Sequence, residues 1–249
     1  MTTTVSGSGS LEQPDYWWYR ARTQLLHAAL GEFLGRPERL LDVGSADGPS
    51  VAWMKGDHQR VTIDVDPRGL QPGEGVCASA LALPFPDATF DVVGAFDVLE
   101  HCEPEKQAID ELARVLAPGG RLLLSVPAYQ WAWSDHDVRA GHHRRYTEDR
   151  LVSVVQGTGL RVLRSTYAFG GVFPFFVAER VVRRIKSRRQ QLGTGAEQRL
   201  TPVSPAMDKV LMGLIALDQR VLRRRDIPFG SSVLLAAVKP GSTAAPASS

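Results

Sequence analysis

Gly44, Ala46 and Gly48 alternate within "LLDVGSADGPSVAWM" (Leu40–Met54), and Asp64 stands twenty residues after the first of them. Small residues directly after an apolar run let the backbone turn sharply and let a ligand approach the main chain. A carboxylate at the end of the next apolar run can accept both hydroxyls of a ribose. Together they point to a nucleoside-containing ligand. A dinucleotide fingerprint would place glycines where this chain has Gly44, Ala46 and Pro49, so two of the three are missing. No Gly-Lys-Ser/Thr triplet of a P-loop occurs. The plainer alternative is a tight strand-to-helix turn. A second group is "AYQWAWSDHDVRAGHHRRY" (Ala128–Tyr146), dense in groups that move protons or stack on flat molecules.

The elements that must carry these residues alternate. "RLLDVG", "RVTIDVD", "FDVVGAF", "GRLLLSVP", "LRVLRSTYAF" and "SSVLLAAV" read as strands, with a short extra one near Gly75 to Ala78. Helical patterns cover Trp18 to Leu34, Glu105 to Leu116 and Glu148 to Thr158, and "APGG" at 117–120 marks a helix end. Such alternation predicts a doubly wound α/β sheet, with ligands at the carboxyl ends of its strands. Polar stretches at 1–14 and 240–249 are expected to be disordered. Residues 15–239 then form one domain, with 172–228 as a basic helical insertion before the last strand. Two cysteines, Cys77 and Cys102, argue against a disulfide scaffold and suit a cytoplasmic setting. Residues 1–15 lack the basic and apolar regions of a secretory signal, and no apolar run is long enough to span a bilayer.

"LLDVGSADG", "TIDVDP", "ALALPFPDATFDVVGAFDVLEH" and "ELARVLAPGGRLLLSVP" resemble, in order, the successive motifs of class I S-adenosylmethionine-dependent methyltransferases, over about residues 39–127. The resemblance implies a Rossmann-like seven-stranded, mostly parallel sheet with its last strand antiparallel. It implies that Asp42, Gly44, Ala46 and Gly48 line the methionine part of S-adenosylmethionine. By the same likeness Asp64 holds the ribose, Val65 lies beside the adenine, Ser79 and Ala80 meet the adenine edge, and Phe96 flanks the methyl. Two positions depart from the family pattern: Ala46 replaces a glycine, and Ser79 replaces the usual adenine-binding Asp.

Methyl transfer from a sulfonium is an in-line displacement, so much of its catalysis is alignment. A hydroxyl acceptor also needs a base tuned near neutrality, and histidine fits best. Asp137 can orient His142 or His143 for that task, with His101 in "DVLEH" as a competitor. Trp131 and Trp133 can stack on an acceptor, with Arg145 and Tyr146 beside them. The alternative is a solvated ion-pair cluster that fastens the loop. Asp135, His136 and Asp137 with Asp97 offer hard ligands for magnesium, but adjacent residues in one loop seldom all face one ion, and no metal is expected. "PDYWWYRARTQLL" can fold over the site as a lid: Tyr16 and Trp17 would face the acceptor, and Arg20 or Arg22 would reach the cofactor's carboxylate. The alternative is that Trp17, Trp18 and Leu25 simply pack on the sheet.

Residues 172–225 hold twelve Lys/Arg against four Asp/Glu, although the chain's net charge is +2. Met207, Leu211, Leu214, Ile215 and Leu222 form an apolar stripe at helical spacing. This insertion can cap the acceptor pocket, form a homodimer contact or rest on an anionic membrane surface. The near-neutral total argues against nucleic acid. The expected activity is methylation of a small molecule, on oxygen, the acceptor being a sugar, glycolipid precursor or other natural product. The competitors are an N- or C-methyltransferase of a lipid, quinone or natural product, a non-catalytic cofactor-binding scaffold, and a nicotinamide-dependent oxidoreductase.

Overall fold

The computed structural model describes residues 15–44, 48, 51–67, 70, 75–189 and 203–241, apart from the side chains of 183–189. The expected disordered segment 1–14, all but two residues of that at 240–249, the acidic and basic residues of 190–202, and Ala46 lie outside these. The chain runs α1 (Trp17–Leu34), β1 (Arg39–Val43), β2 (Gln59–Asp64), β3 (Gly75–Cys77), β4 (Phe90–Phe96) and α2 (Glu105–Val115). It continues with β5 (Leu116–Pro127), α3 (Asp135–Ala140), α4 (Glu148–Gln156), β6 (Arg161–Ala168), α5 (Phe173–Arg189), α6 (Pro205–Leu222) and β7 (Ser232–Val238).

The seven strands form one sheet in the order β3-β2-β1-β4-β5-β7-β6, with β7 antiparallel to both its neighbours. From β1 the chain steps outward through β2 to β3, then crosses back to β4. Strand order therefore reverses between β1 and β4, which opens a crevice at their carboxyl ends. The apolar runs that predict strands are the core of the sheet: Leu40, Leu41, Val93, Leu122, Leu123, Leu124 and Leu235 are essentially inaccessible. Helix α1 closes one face through Ala21, Leu25, Leu26, Ala29 and Leu30, a spacing that fits one helical stripe. Helix α2 presents Ala108, Ile109 and Leu112 in the same way.

Register fixes the functional edge. Val43 pairs with Ile63 on one side and with Ala95 on the other. The next residues, Gly44, Asp64 and Phe96, thus come level at the carboxyl edge. The Gly44 amide donates to the Ile63 carbonyl at 2.8 Å. Gly44 has φ 73°, and a Cβ there would meet Val98 Cγ2 at 2.5 Å, so the turn needs glycine.

The "APGG" segment differs from the expectation. Helix α2 stops at Val115 and β5 begins at once with Leu116, so 117–120 belong to the strand. The register between β4 and β5 shifts between Phe90 and Val92, and Gly119 takes φ 80°, which lets the chain enter the sheet directly from the helix.

Candidate active site

Beyond β4 the chain makes an unusual bend. Asp97 takes φ 57°, a conformation rarely adopted by a non-glycine residue. It is held there by three contacts. Its amide donates to the Ser125 carbonyl at 2.9 Å, Ser125 Oγ donates to its Oδ1 at 2.8 Å, and Arg22 pairs with its Oδ2 at 3.0 Å. The bend carries the chain into a short turn, Leu99–His101. Glu100 on that turn is fully buried, and neither of its carboxylate oxygens has a hydrogen-bond partner among the described residues. Burial, and then the nearby Asp97, push its carboxyl well above the usual range.

Opposite this turn stands α3, whose start is specified by a capping box. The amide and hydroxyl of Ser134 both donate to Asp137 Oδ2, at 2.8 and 3.0 Å. Asp137 Oδ1 accepts from Arg145 Nε at 2.7 Å and lies 2.9 Å from His142 Nδ1. Burial works to raise the Asp137 carboxyl, but the bonds from His142 and Arg145 outweigh it and hold the group well below the carboxylate range. A carboxylate at that distance orients Nδ1–H toward itself and leaves His142 Nε2 as the basic nitrogen. The rings of His101 and His142 meet edge to face with centroids 4.6 Å apart. Burial and then His142 lower the basicity of His101.

Between these elements lies a cavity of about 560 Å³. Its floor includes Asp97, Glu100, His142 and Arg145, and its walls include Tyr16, Trp17 and Trp18 from α1. Phe175, Phe176 and Arg180 of α5 and Leu211 of α6 form the roof. Roof and wall are tied together by an ion pair from Arg20 of α1 to Asp208 of α6. Asp218 of α6, buried, accepts the Gly171 amide on both carboxylate oxygens at 3.0 Å and so anchors α6 to the start of α5.

The family described as a methyltransferase domain matches residues 16–165, more than half of the chain. The chain belongs to the class I S-adenosylmethionine-dependent methyltransferases. Among curated relatives, an O-methyltransferase of Aspergillus nomiae is 28% identical over 167 residues, covering 58% of this chain and 74% of the relative. The 27-O-demethylrifamycin SV methyltransferase of Amycolatopsis mediterranei is 34% identical over 102 residues, which cover 35% of this chain and only 38% of that protein. Among solved structures, the N-methyltransferase NodS of Bradyrhizobium japonicum with bound S-adenosylhomocysteine superimposes with a TM-score of 0.54. It is 15% identical and covers 94% of each chain, a likeness of fold.

The donor end of the methyltransferase fits an adenosyl ligand. Gly44, Asp64 and Phe96 come level there, Gly44 in the conformation that a close approach requires. A Cβ built on Gly48 would enter open space. Asp64 Oδ1 accepts the Asp66 amide at 2.8 Å, which fixes the carboxylate at the strand end. Val65 beside it is 69% exposed, an apolar surface left for a flat partner. Other expected donor contacts are engaged differently. Asp42 is buried beneath the turn and paired with Arg60. Ser79 Oγ accepts the Leu81 amide at 3.1 Å and shapes a turn, while the side chains of Ala80 and Phe96 are packed in the core. Arg22 is bound to Asp97 and stacked over Trp18, so it holds the bend after β4.

At the acceptor end of the methyltransferase, His142, Asp137, Arg145, Tyr16 and Trp17 are brought together as the sequence suggests. Four others are not. His143 is exposed and contributes its backbone amide to the Glu100 carbonyl. Tyr146 is fully buried under Arg150, so it is a core residue. Trp131, 42% exposed, stacks on Tyr129 outside the cavity, and Trp133 is not among the cavity's lining residues. The residues that the sequence offers as hard ligands for magnesium, with no metal expected there, are engaged otherwise or exposed. Asp97 and Asp137 are each committed to an arginine, whereas Asp135 and His136 are exposed on α3. Glu100, Phe175, Phe176 and Arg180 are functional candidates that sequence reasoning passed over. For Glu100 the available signal is its place beside His101, just past the end of β4.

Proposed function

We propose that the chain is a small-molecule O-methyltransferase whose acceptor is a sugar, a glycolipid precursor or another hydroxylated natural product. The observation that carries this reading is the His142–Asp137 pair, 2.9 Å apart, opening into an aromatic-walled cavity next to the donor end. A cavity of about 560 Å³ suits one or two rings. Both curated relatives described above are named as methylating oxygen or as O-methyltransferases, which supports the choice of atom.

The methyl donor would be held by Gly44, Asp64 and Val65. When bound, it supplies a methyl group already activated by a sulfonium. Everything else falls to the chain. Tyr16, Trp17 and Phe176 offer flat apolar faces that orient an acceptor and exclude water. His142 Nε2 accepts the hydroxyl proton, or a share of it, as the oxygen becomes a nucleophile. The fixed Asp137 carboxylate stabilises the imidazolium that results, and Arg145 keeps Asp137 ionised.

Incubation with donor labelled in its methyl group and a panel of sugars, glycolipid precursors and phenols, followed by mass spectrometry, tests this. The expected product gains one methyl on oxygen. Transfer exclusively to nitrogen or carbon acceptors, or no transfer despite donor binding, would overturn it.

A further inference from the structure

We propose that Glu100, His101 and His142 form a divalent-cation site at the floor of the acceptor cavity, of the class taken by zinc and other first-row transition ions. Each residue offers one ligand atom, and the three atoms lie within 4.8 Å of one another. Ligands sharing one such ion, at bond lengths of about 2.0–2.2 Å, stand roughly 3–4 Å apart. The group is therefore about an ångström from closing, within reach of side-chain rotation.

Two independent features say the cluster is built for a cation. Glu100 is fully buried, and both its oxygens lack a hydrogen-bond partner among the described residues. An unpaired buried carboxyl is costly, and buried polar groups without partners are rare. A bound cation removes that cost. His142 is oriented from behind by Asp137, which fixes Nδ1 and leaves Nε2 for a ligand bond. A carboxylate holding the far nitrogen of an imidazole is the usual support of a metal-binding histidine.

The ligand set decides the class of ion. Two imidazoles and one carboxylate suit a transition ion, whereas magnesium favours carboxylates and water. Three protein ligands leave coordination positions open. Glu100 and His142 both line the cavity, so an oxygen-rich acceptor would complete the shell there. This inference rests on the methyl-transfer reading for what the ion does, but not for whether it binds. With the ion in place His142 acts as a ligand, and the ion eases loss of the hydroxyl proton.

The experiment titrates zinc and cobalt(II) separately into chelator-treated full-length protein, by calorimetry and, for cobalt, by visible absorption. S-adenosylhomocysteine binding is measured on the same samples. The wild type is expected to bind each ion and to give cobalt bands of low symmetry. Glu100→Gln and His101→Ala are each expected to weaken binding by roughly tenfold or more, with His143→Ala close to wild type. His101 is exposed, so its variant keeps the test meaningful if Glu100→Gln does not fold. No binding of either ion tighter than millimolar, or binding that neither Glu100→Gln nor His101→Ala alters, overturns the proposal. A protein that transfers methyl groups but binds neither ion sinks the site alone, whereas ion binding without adenosyl binding sinks methyl transfer alone.

Discussion

Two side chains at opposite ends of the crevice are expected to have separable effects. His142 faces the acceptor cavity, and Asp64 stands at the donor end. His142→Ala is expected to lower kcat by about 10²- to 10⁴-fold and to leave S-adenosylhomocysteine affinity nearly unchanged, as turnover and calorimetry on one preparation would show. Asp64→Ala is expected to do the reverse. Losing a charged acceptor of ribose hydroxyls costs about 1.5–3 kcal/mol, which weakens adenosyl binding roughly ten- to a hundredfold. A full-affinity Asp64→Ala protein would remove Asp64 from the site. Asp64 is legible in the sequence because its distance from Gly44 is a property of one strand–turn–strand unit. Glu100 is not, because its significance is its burial against a histidine forty-two residues away in the chain. Trp131 and Trp133 mislead for a related reason: side-chain type signals stacking power but not direction.

Among the elements, α2 is held to the loop between β3 and β4 by Gln107, which donates to the Leu81 carbonyl at 2.8 Å, and by a network around one arginine. Arg114 donates to the carbonyls of Leu83 and Phe85 at 3.1 and 2.8 Å, to Asp87 and to Glu111. Glu111 in turn accepts the Leu83 amide at 2.7 Å. The bonds from Arg114, opposed by partial burial, hold the Glu111 carboxyl below its usual range. The folded protein then carries fewer protons on this group than the unfolded chain between the two pKa values. Its stabilisation is full above about pH 4.5 and drains as pH falls through the lower, folded value. Glu111→Gln should accordingly cost about 1–2 kcal/mol near neutrality, with the gap to wild type narrowing below about pH 4. Urea midpoints at both pH values check this, and a gap that stays constant would refute the assignment. The strands were readable from their apolar runs, and β4 matches its run to the residue. Where α2 hands over to β5 was not, because glycines that end a helix and glycines that let a strand bulge look alike in one dimension.

Across the whole molecule the acceptor cavity is assembled from distant parts of the chain. Its wall comes from α1 and its roof from α5 and α6, while the donor end is finished by β4. On the proposed function, recognition of the two substrates is therefore divided. Phe176→Ala is expected to raise the acceptor KM several-fold and to leave donor affinity within about twofold. A parallel loss of both would mean that α5 supports the fold instead of the acceptor. The sequence marks 172–228 as an insertion by length and charge, but its covering of the cavity depends on the Arg20–Asp208 pair and the Asp218 anchor, which join residues nearly two hundred and about fifty positions apart. The strand order carries a consequence for biosynthesis. Strand β7 lies between β5 and β6 and, among the described residues, joins them in the sheet. A ribosome-bound chain that stops short of Ser232 exposes two bare strand borders facing an empty slot. That slot is shaped to accept a seven-residue apolar strand, and until the chain's own strand is made a neighbouring copy that already carries β7 can supply one. Slow translation through and just beyond β7 should favour entanglement between copies, and a chaperone that shields the slot should suppress it.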